Sequence, residues 1–188
     1  MPPSKVDDAE LLDRLIQVFR TYGFEGASLS RISEATGLQR ASLYHRFPGG
    51  KEEMARAVLQ RAAGWLREHA LKPLESSDQA PPLERLKRMG ASLEAFYESG
   101  RRSCLLDALS FSDASDAVQS DVRAAMQLWS DKLAGSGREL GLSEAEASAW
   151  AEDRVVQIQG ALVVSRVTGN AAVFERALAA VASTLGLE

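Results

Sequence analysis

The stretch SLSRISEATGLQRASLYHRFPGGK (residues 28–51) decides how this chain is read. Its apolar residues fall at helical spacing in two short runs, Leu29, Ile32 and Ala35, then Leu43 and Phe47, with a glycine between them. Ser28 is a candidate N-cap for the first run, and Gly37 a candidate stop. A helix-turn-helix needs a small residue where its helices cross, a turn-former four residues later and an apolar anchor six beyond that. Ser33, Gly37 and Leu43 meet those needs in order. A plain buried corner would satisfy the same periodicity, so the polar residues must decide. With Leu43 and Phe47 inward, the second helix turns Gln39, Arg40, Ser42 and His45 outward, with Tyr44 at the margin. From Gly26 to Lys51 four cations (Arg31, Arg40, Arg46 and Lys51) stand against Glu34 alone. Such a face offers donors to phosphate oxygens, and Gln or Arg to base edges in a major groove. Ser28 and the "GGK" start of the next helix are candidate backbone contacts, since a helix N-terminus attracts anions and Lys51 adds charge.

Outward from this stretch every segment reads as helix. Upstream, Leu11, Leu15, Val18 and Tyr22 recur along one face, Asp7 and Glu10 have capping-box spacing, and Gly23 is a stop. Downstream, Met54, Val58, Ala62 and Trp65 mark a longer helix from Lys51 to about Leu71. The Pro- and Ser-rich "KPLESSDQAPP" (72–82) is a linker. Beyond it the pattern predicts helices through Leu83 to Tyr97, Ser103 to Phe111, Asp116 to Leu133 with Gly135 and Gly137 weakening its end, Ser143 to Thr168, and Phe174 to Leu185. The fold class is all-α. The expected organisation is a helix-turn-helix domain at 1–50, a connecting helix at 51–72, and a helical bundle at 73–188.

Composition narrows the function. The 188 residues are 45% apolar and 26% charged, the balance of a soluble globular chain long enough to bury a sizeable core. No apolar run approaches the roughly 20 residues of a membrane span, and the N-terminus lacks a signal-peptide layout, so the expected location is the cytoplasm. The only cysteine, Cys104, excludes an intrachain disulfide. Net charge is −4, divided as +2 over residues 1–72 and −6 over 73–188, so attraction to a polyanion is confined to one short segment. His45 and His69 are not preceded by glutamate at the spacing of a helical di-metal site. "GGKE" lacks the earlier glycine and the Ser/Thr of a phosphate-binding loop. No catalytic role, cofactor or metal is expected.

Residues 10–55 resemble the N-terminal domain of the TetR family of bacterial transcriptional regulators, through FRTYGFEGASL (19–29), ISEATGLQRASLYHRF (32–47) and KEEM (51–54). The family pattern closes its recognition helix with Leu-Tyr, one or two further residues and Phe, then a lysine. Here LYHRFPGGK carries Gly-Gly before that lysine, as a subset of the family does. Ser33 replaces the usual alanine, and Gln39 stands where serine is common. The resemblance implies a ligand-responsive repressor-like homodimer on a near-palindromic DNA operator. Gln39, Arg40, Ser42, Tyr44 and His45 would face the groove, with Ser28 and Lys51 on the backbone. The competing reading is a helical small-molecule-binding or interaction module without DNA binding.

The helix over 150–168 is apolar nearly all round and must be covered on two sides. The stripe Val156, Gly160, Val163 and Val167 is expected at a dimer interface. The resemblance places the last two long helices there, which adds Leu178 and Val181. The family's effector pocket would draw on Phe96, Tyr97, Cys104, Met126, Trp129 and Gln157, although aromatic residues and methionine at helical spacing serve an ordinary core equally well. Cys104 follows Arg101 and Arg102 near a helix start, a setting that would suit a reactive thiol, although a small apolar filler suits it better. The effector's identity, and whether it releases or promotes DNA binding, stay open.

Overall fold

The computed structural model describes residues 6–75, 79–110 and 114–183; Phe111 and Leu185 lie outside them. Among these residues there are nine α-helices and no strand. They form two compact units.

The first unit holds the described residues up to Ala63 together with Leu105–Ala124. Helix α1 (Asp8–Gly26) opens on Asp7, whose carboxylate accepts from Glu10 N–H at 2.7 Å. Gly23, expected to end this helix, breaks it with φ +65° and ψ −173°, and the chain then makes one further turn to Gly26. Leu11, Leu15 and Phe19 are fully buried. Tyr22, read as part of the same apolar stripe, is instead 46% exposed and lies beneath the Arg31 guanidinium. Helices α2 (Leu29–Thr36) and α3 (Arg40–Arg46) follow, and α4 runs over Gly50–Leu66. α6 (Leu105–Ser110) packs on α1; the sequence's linear partition had placed it in the second domain. The reason is apolar surface: Leu106 and Leu109 are buried, and no local pattern reveals which helix they bury against.

In the second unit (Gly64–Cys104 and the described residues from Ala125) the chain leaves α4 through a π-helical turn at Arg67–Leu71 and a 3₁₀ turn at Lys72–Leu74. α5 (Pro82–Phe96) packs against these turns and against α9 (Ala172–Ser183), which also packs on α8 (Glu144–Thr168). α7 (Asp116–Glu139) carries the chain between the units and continues through Gly135 and Gly137. Two features fix this unit. Arg85 of α5, 1% exposed, donates to Glu75 O at 2.8 Å and pairs with Glu139 at the end of α7. Gly100, at φ +85°, sits where a Cβ would lie 2.6 Å from Ser165 Oγ and 2.9 Å from Phe174 Cβ.

Candidate nucleic-acid interface

The α2–α3 corner is built from local rules. Ser28 caps α2, its hydroxyl accepting from Arg31 N–H at 3.3 Å. Gly37 ends α2 in the left-handed region at φ +71°, which an L side chain adopts only with strain. Thr36, fully buried, fixes the turn by donating to Ile32 O at 2.7 Å and accepting from Leu38 N–H at 3.3 Å. The chain then re-enters helix at Arg40. Leu43 is fully buried, so the rest of α3 is oriented around it.

Gln39, Arg40, Ser42, Tyr44 and His45 are all exposed. Gln39 is the N-cap residue of α3, and its side chain makes no capping bond. Asp7, Ser28 and Ser143 spend their side chains on the helices they cap; the Gln39 amide is unspent. Arg40 is held against α2 by a 2.9 Å bond to Ser30 Oγ.

The cations of this segment are less free than their number implies. Arg31 donates to Gly26 O at 2.7 Å with its guanidinium carbon 4.3 Å from the Tyr22 ring centroid. Arg46 is bonded to Val6 O and Asp8. Lys51 is half-buried, its ammonium 4.3 Å from the centre of the Phe24 ring. The start of α4 also departs from expectation. Gly49 N–H donates to the Glu53 carboxylate at 2.7 Å, so the "GGK" amide expected to receive a phosphate already holds an internal anion. Glu52 and Glu53 in the first turn offset the positive end of that helix. Acidic side chains one turn on from the glycines were the signal for this.

In the second unit, the residues expected to line an effector pocket divide. Phe96 stacks on Trp65 with centroids 4.4 Å apart and meets Tyr97 edge-on at 5.0 Å. Tyr97 is 1% exposed and donates from its hydroxyl to Cys104 Sγ at 3.6 Å. Gln159 Nε2 reaches the same sulfur at 3.4 Å. Gln157 instead donates to Ala177 O at 3.4 Å. Trp129 is buried and Met126 half-buried on α7. None of the six lines an open cleft of about 440 Å³ formed by Leu74, Asp131, Lys132, Gly135, Arg138 and Glu139. Among the described residues no acidic, His or Cys cluster could hold a metal ion, and no helix is long and apolar enough to cross a membrane.

The stripe expected at a dimer interface is largely uncovered. Val156 is 69% exposed, Val163 43% and Val167 79%, with Val164 beside them at 46% and Gly160 also exposed. Leu178 and Val181 stand differently from that stripe. They are 5% and 1% exposed within the chain itself, and Leu178 faces Gly90 of α5. The apolar face of α9 is spent on its own unit.

Comparison with known proteins places this geometry. Residues 11–58 match the family described as bacterial regulatory proteins, tetR family. The chain is 23% identical over 163 residues to the HTH-type transcriptional regulator LmrA of Bacillus subtilis, covering 86% of this chain and 87% of that one. Its fold superposes on a TetR transcriptional regulator from Legionella pneumophila with a TM-score of 0.82 at 18% identity, covering 96% and 97% of the two chains. It also superposes on a cysteine mutant of the TetR family regulator CifR, complexed with 26-bp double-strand operator DNA. There the TM-score is 0.74 at 26% identity, over 95% and 98% of the chains.

Proposed function

We propose, from the membership of this chain in the TetR family of bacterial regulatory proteins, that two copies bind a near-palindromic DNA operator and repress transcription until an effector alters their spacing. The observation that carries this reading is the exposed set Gln39, Arg40, Ser42, Tyr44 and His45, displayed around a fully buried Leu43 immediately after a left-handed turn. Two-fold symmetry would set the half-sites about one helical turn apart. Gln39, with its amide unspent, reads a base edge, while Ser28 and Lys51 contact the backbone.

Residues 1–50 serve DNA binding, 51–72 connect, and 73–188 serve effector binding and dimerisation, with α6 of that last part packed on α1. The uncovered valines of α8 form the interface. Phe96, Tyr97 and Cys104 form the part of the expected effector set that is physically assembled. Effector binding acts by shifting α4, whose first residues follow the recognition helix; a coupling of roughly 1–3 kcal/mol changes operator affinity about 5–150-fold. The protein works in the cytoplasm and has no catalytic role in this reading.

The test is fluorescence anisotropy against duplexes selected from a random pool, over a salt series, with an unrelated duplex as control. Strong, salt-dependent preference for the selected duplex supports the reading; failure of any duplex to be enriched overturns it. Lys51→Ala should weaken both duplexes and lower the salt slope by about 1. A changed sequence preference at constant slope would remove its backbone role.

A further inference from the structure

We infer that Arg14, at the end of α2 before the turn into the recognition helix, and Arg46, at the exit of that helix, are positioning residues that hold it in place, with their charges paired within the chain. This rests on the DNA-binding reading above.

α3 has only seven residues, while an isolated helix is marginal below about 12–15. Its N-cap residue supplies no side-chain bond, and Leu43 is its one buried residue. Other elements must therefore hold it. At the entrance, α2 has no basic residue in its own last turn to satisfy the carbonyls there. Arg14 reaches across from α1 instead. Its Nη1 donates to Thr36 O at 3.0 Å and to Ala35 O at 3.5 Å, while Nη2 is oriented by Glu10 at 2.6 Å. A cation thus stands on the negative end of α2, directly before the turn into α3. At the exit, Arg46 Nη2 donates to Val6 O at 2.9 Å, and Nη1 donates to Asp8 at 3.2 Å. Both clamps run to α1 or to the residue just before its cap, and α1 is anchored by the fully buried Leu11, Leu15 and Phe19. That helix is the frame, and the angle of α3 is set against it from both sides.

The opposing role for either arginine is a phosphate contact, and the two roles separate experimentally. A phosphate contact releases counterions on binding, so its loss lowers the salt slope; loss of a clamp leaves the slope alone. Operator and unrelated duplexes are titrated over a salt series with Arg14→Gln, Arg46→Gln, Glu10→Ala and Asp8→Ala. The last two keep both cations and remove only the carboxylates that orient them. Asp8 is 92% exposed in its side chain, so its removal leaves the core intact.

Each arginine variant should lose about 10–100-fold on the selected duplex, the scale of a charged hydrogen bond, at the wild-type salt slope and with far less loss on the unrelated duplex. Glu10→Ala and Asp8→Ala should lose up to about fivefold, the scale of an exposed ion pair. In all four variants, backbone amides over 38–47 should exchange faster than in the wild type. A salt slope lower by about 1 in the arginine variants, equal weakening on both duplexes, or tighter binding by Asp8→Ala would each overturn the clamp. So would unchanged exchange over 38–47. If the wild-type protein selects no duplex, the DNA-binding reading falls and the exchange measurement alone decides the clamp. If an arginine variant does not fold, its carboxylate counterpart decides.

Discussion

Ser33 stands on α2 between Ile32, which is fully buried, and the turn at Gly37, and its hydroxyl is buried without a hydrogen-bond partner. A buried unsatisfied hydroxyl costs free energy that an alanine of nearly the same size would not. Ser33→Ala should therefore stabilise the protein by about 1 kcal/mol, read as a higher midpoint in thermal or urea unfolding. A lower midpoint would mean that the hydroxyl is satisfied in solution. The crossing position was legible in the sequence because a helix-turn-helix demands a small residue there. The vacancy of its hydroxyl was not, since partners are set by tertiary contact. The same limit explains the cations: their number between Gly26 and Lys51 can be counted in the sequence, but their partners cannot. Arg46, counted there as one of four, is tied to Val6 O and Asp8, which lie 40 and 38 residues away.

Among the elements, capped helices were the most readable, because caps are local. Ser143 and Glu146 form the reciprocal box expected from SEAE. The Glu146 carboxyl is held below its ordinary value of 4.5 by hydrogen bonds from the Ser143 hydroxyl and then from the Ser143 N–H. The depressed folded-state value means that its contribution is fully present above the ordinary value and is lost as pH falls through the depressed one. Amide exchange in the first turn of α8 should accelerate, relative to the rest of that helix, on acidification below about 4.5. Ser143→Ala should abolish that extra dependence. An identical pH profile in the variant would show that the box does not control this turn. Connections were less readable. Glu98 and Ser99 lie at φ +49° and +53°, followed by Gly100 at +85°, an unusual left-handed run of which the Ser99-Gly100 pair announces only a turn. Gly100→Ala should cost about 2–4 kcal/mol, from the left-handed penalty and from overpacking against Ser165 and Phe174. A change within about 0.5 kcal/mol would show that the segment relaxes freely.

For the whole molecule, the all-helical class and the two-sided demand of α8 followed from its continuous apolarity, but the assignment of its neighbours did not. An apolar face states that it must be buried, and does not state against what. α9 illustrates this: Leu178 and Val181, expected against a partner, are already buried within the chain's own unit, whereas Val156, Val163 and Val167 are exposed in the single chain. A contiguous exposed patch of large apolar residues on one helix is costly for a monomer and marks an interaction site. A second copy is the occupant we propose, with Gly160, which has nothing within 4 Å of a would-be Cβ, allowing close approach of a facing helix. Sedimentation of the wild type should then give about twice the 20.3 kDa chain mass at micromolar concentration. Val163→Glu places a charge in the middle of the stripe and should shift the protein to monomer with its unfolding midpoint little changed, since the position is exposed in the chain itself. Val181→Ala makes the opposite case. It removes buried methyl groups and should cost about 2 kcal/mol of stability while leaving association intact. If Val181→Ala dissociates the protein and Val163→Glu does not, the interface lies on α9 despite its buried face. If the wild type is monomeric, the valine stripe meets some other partner, and the two-fold operator loses its basis.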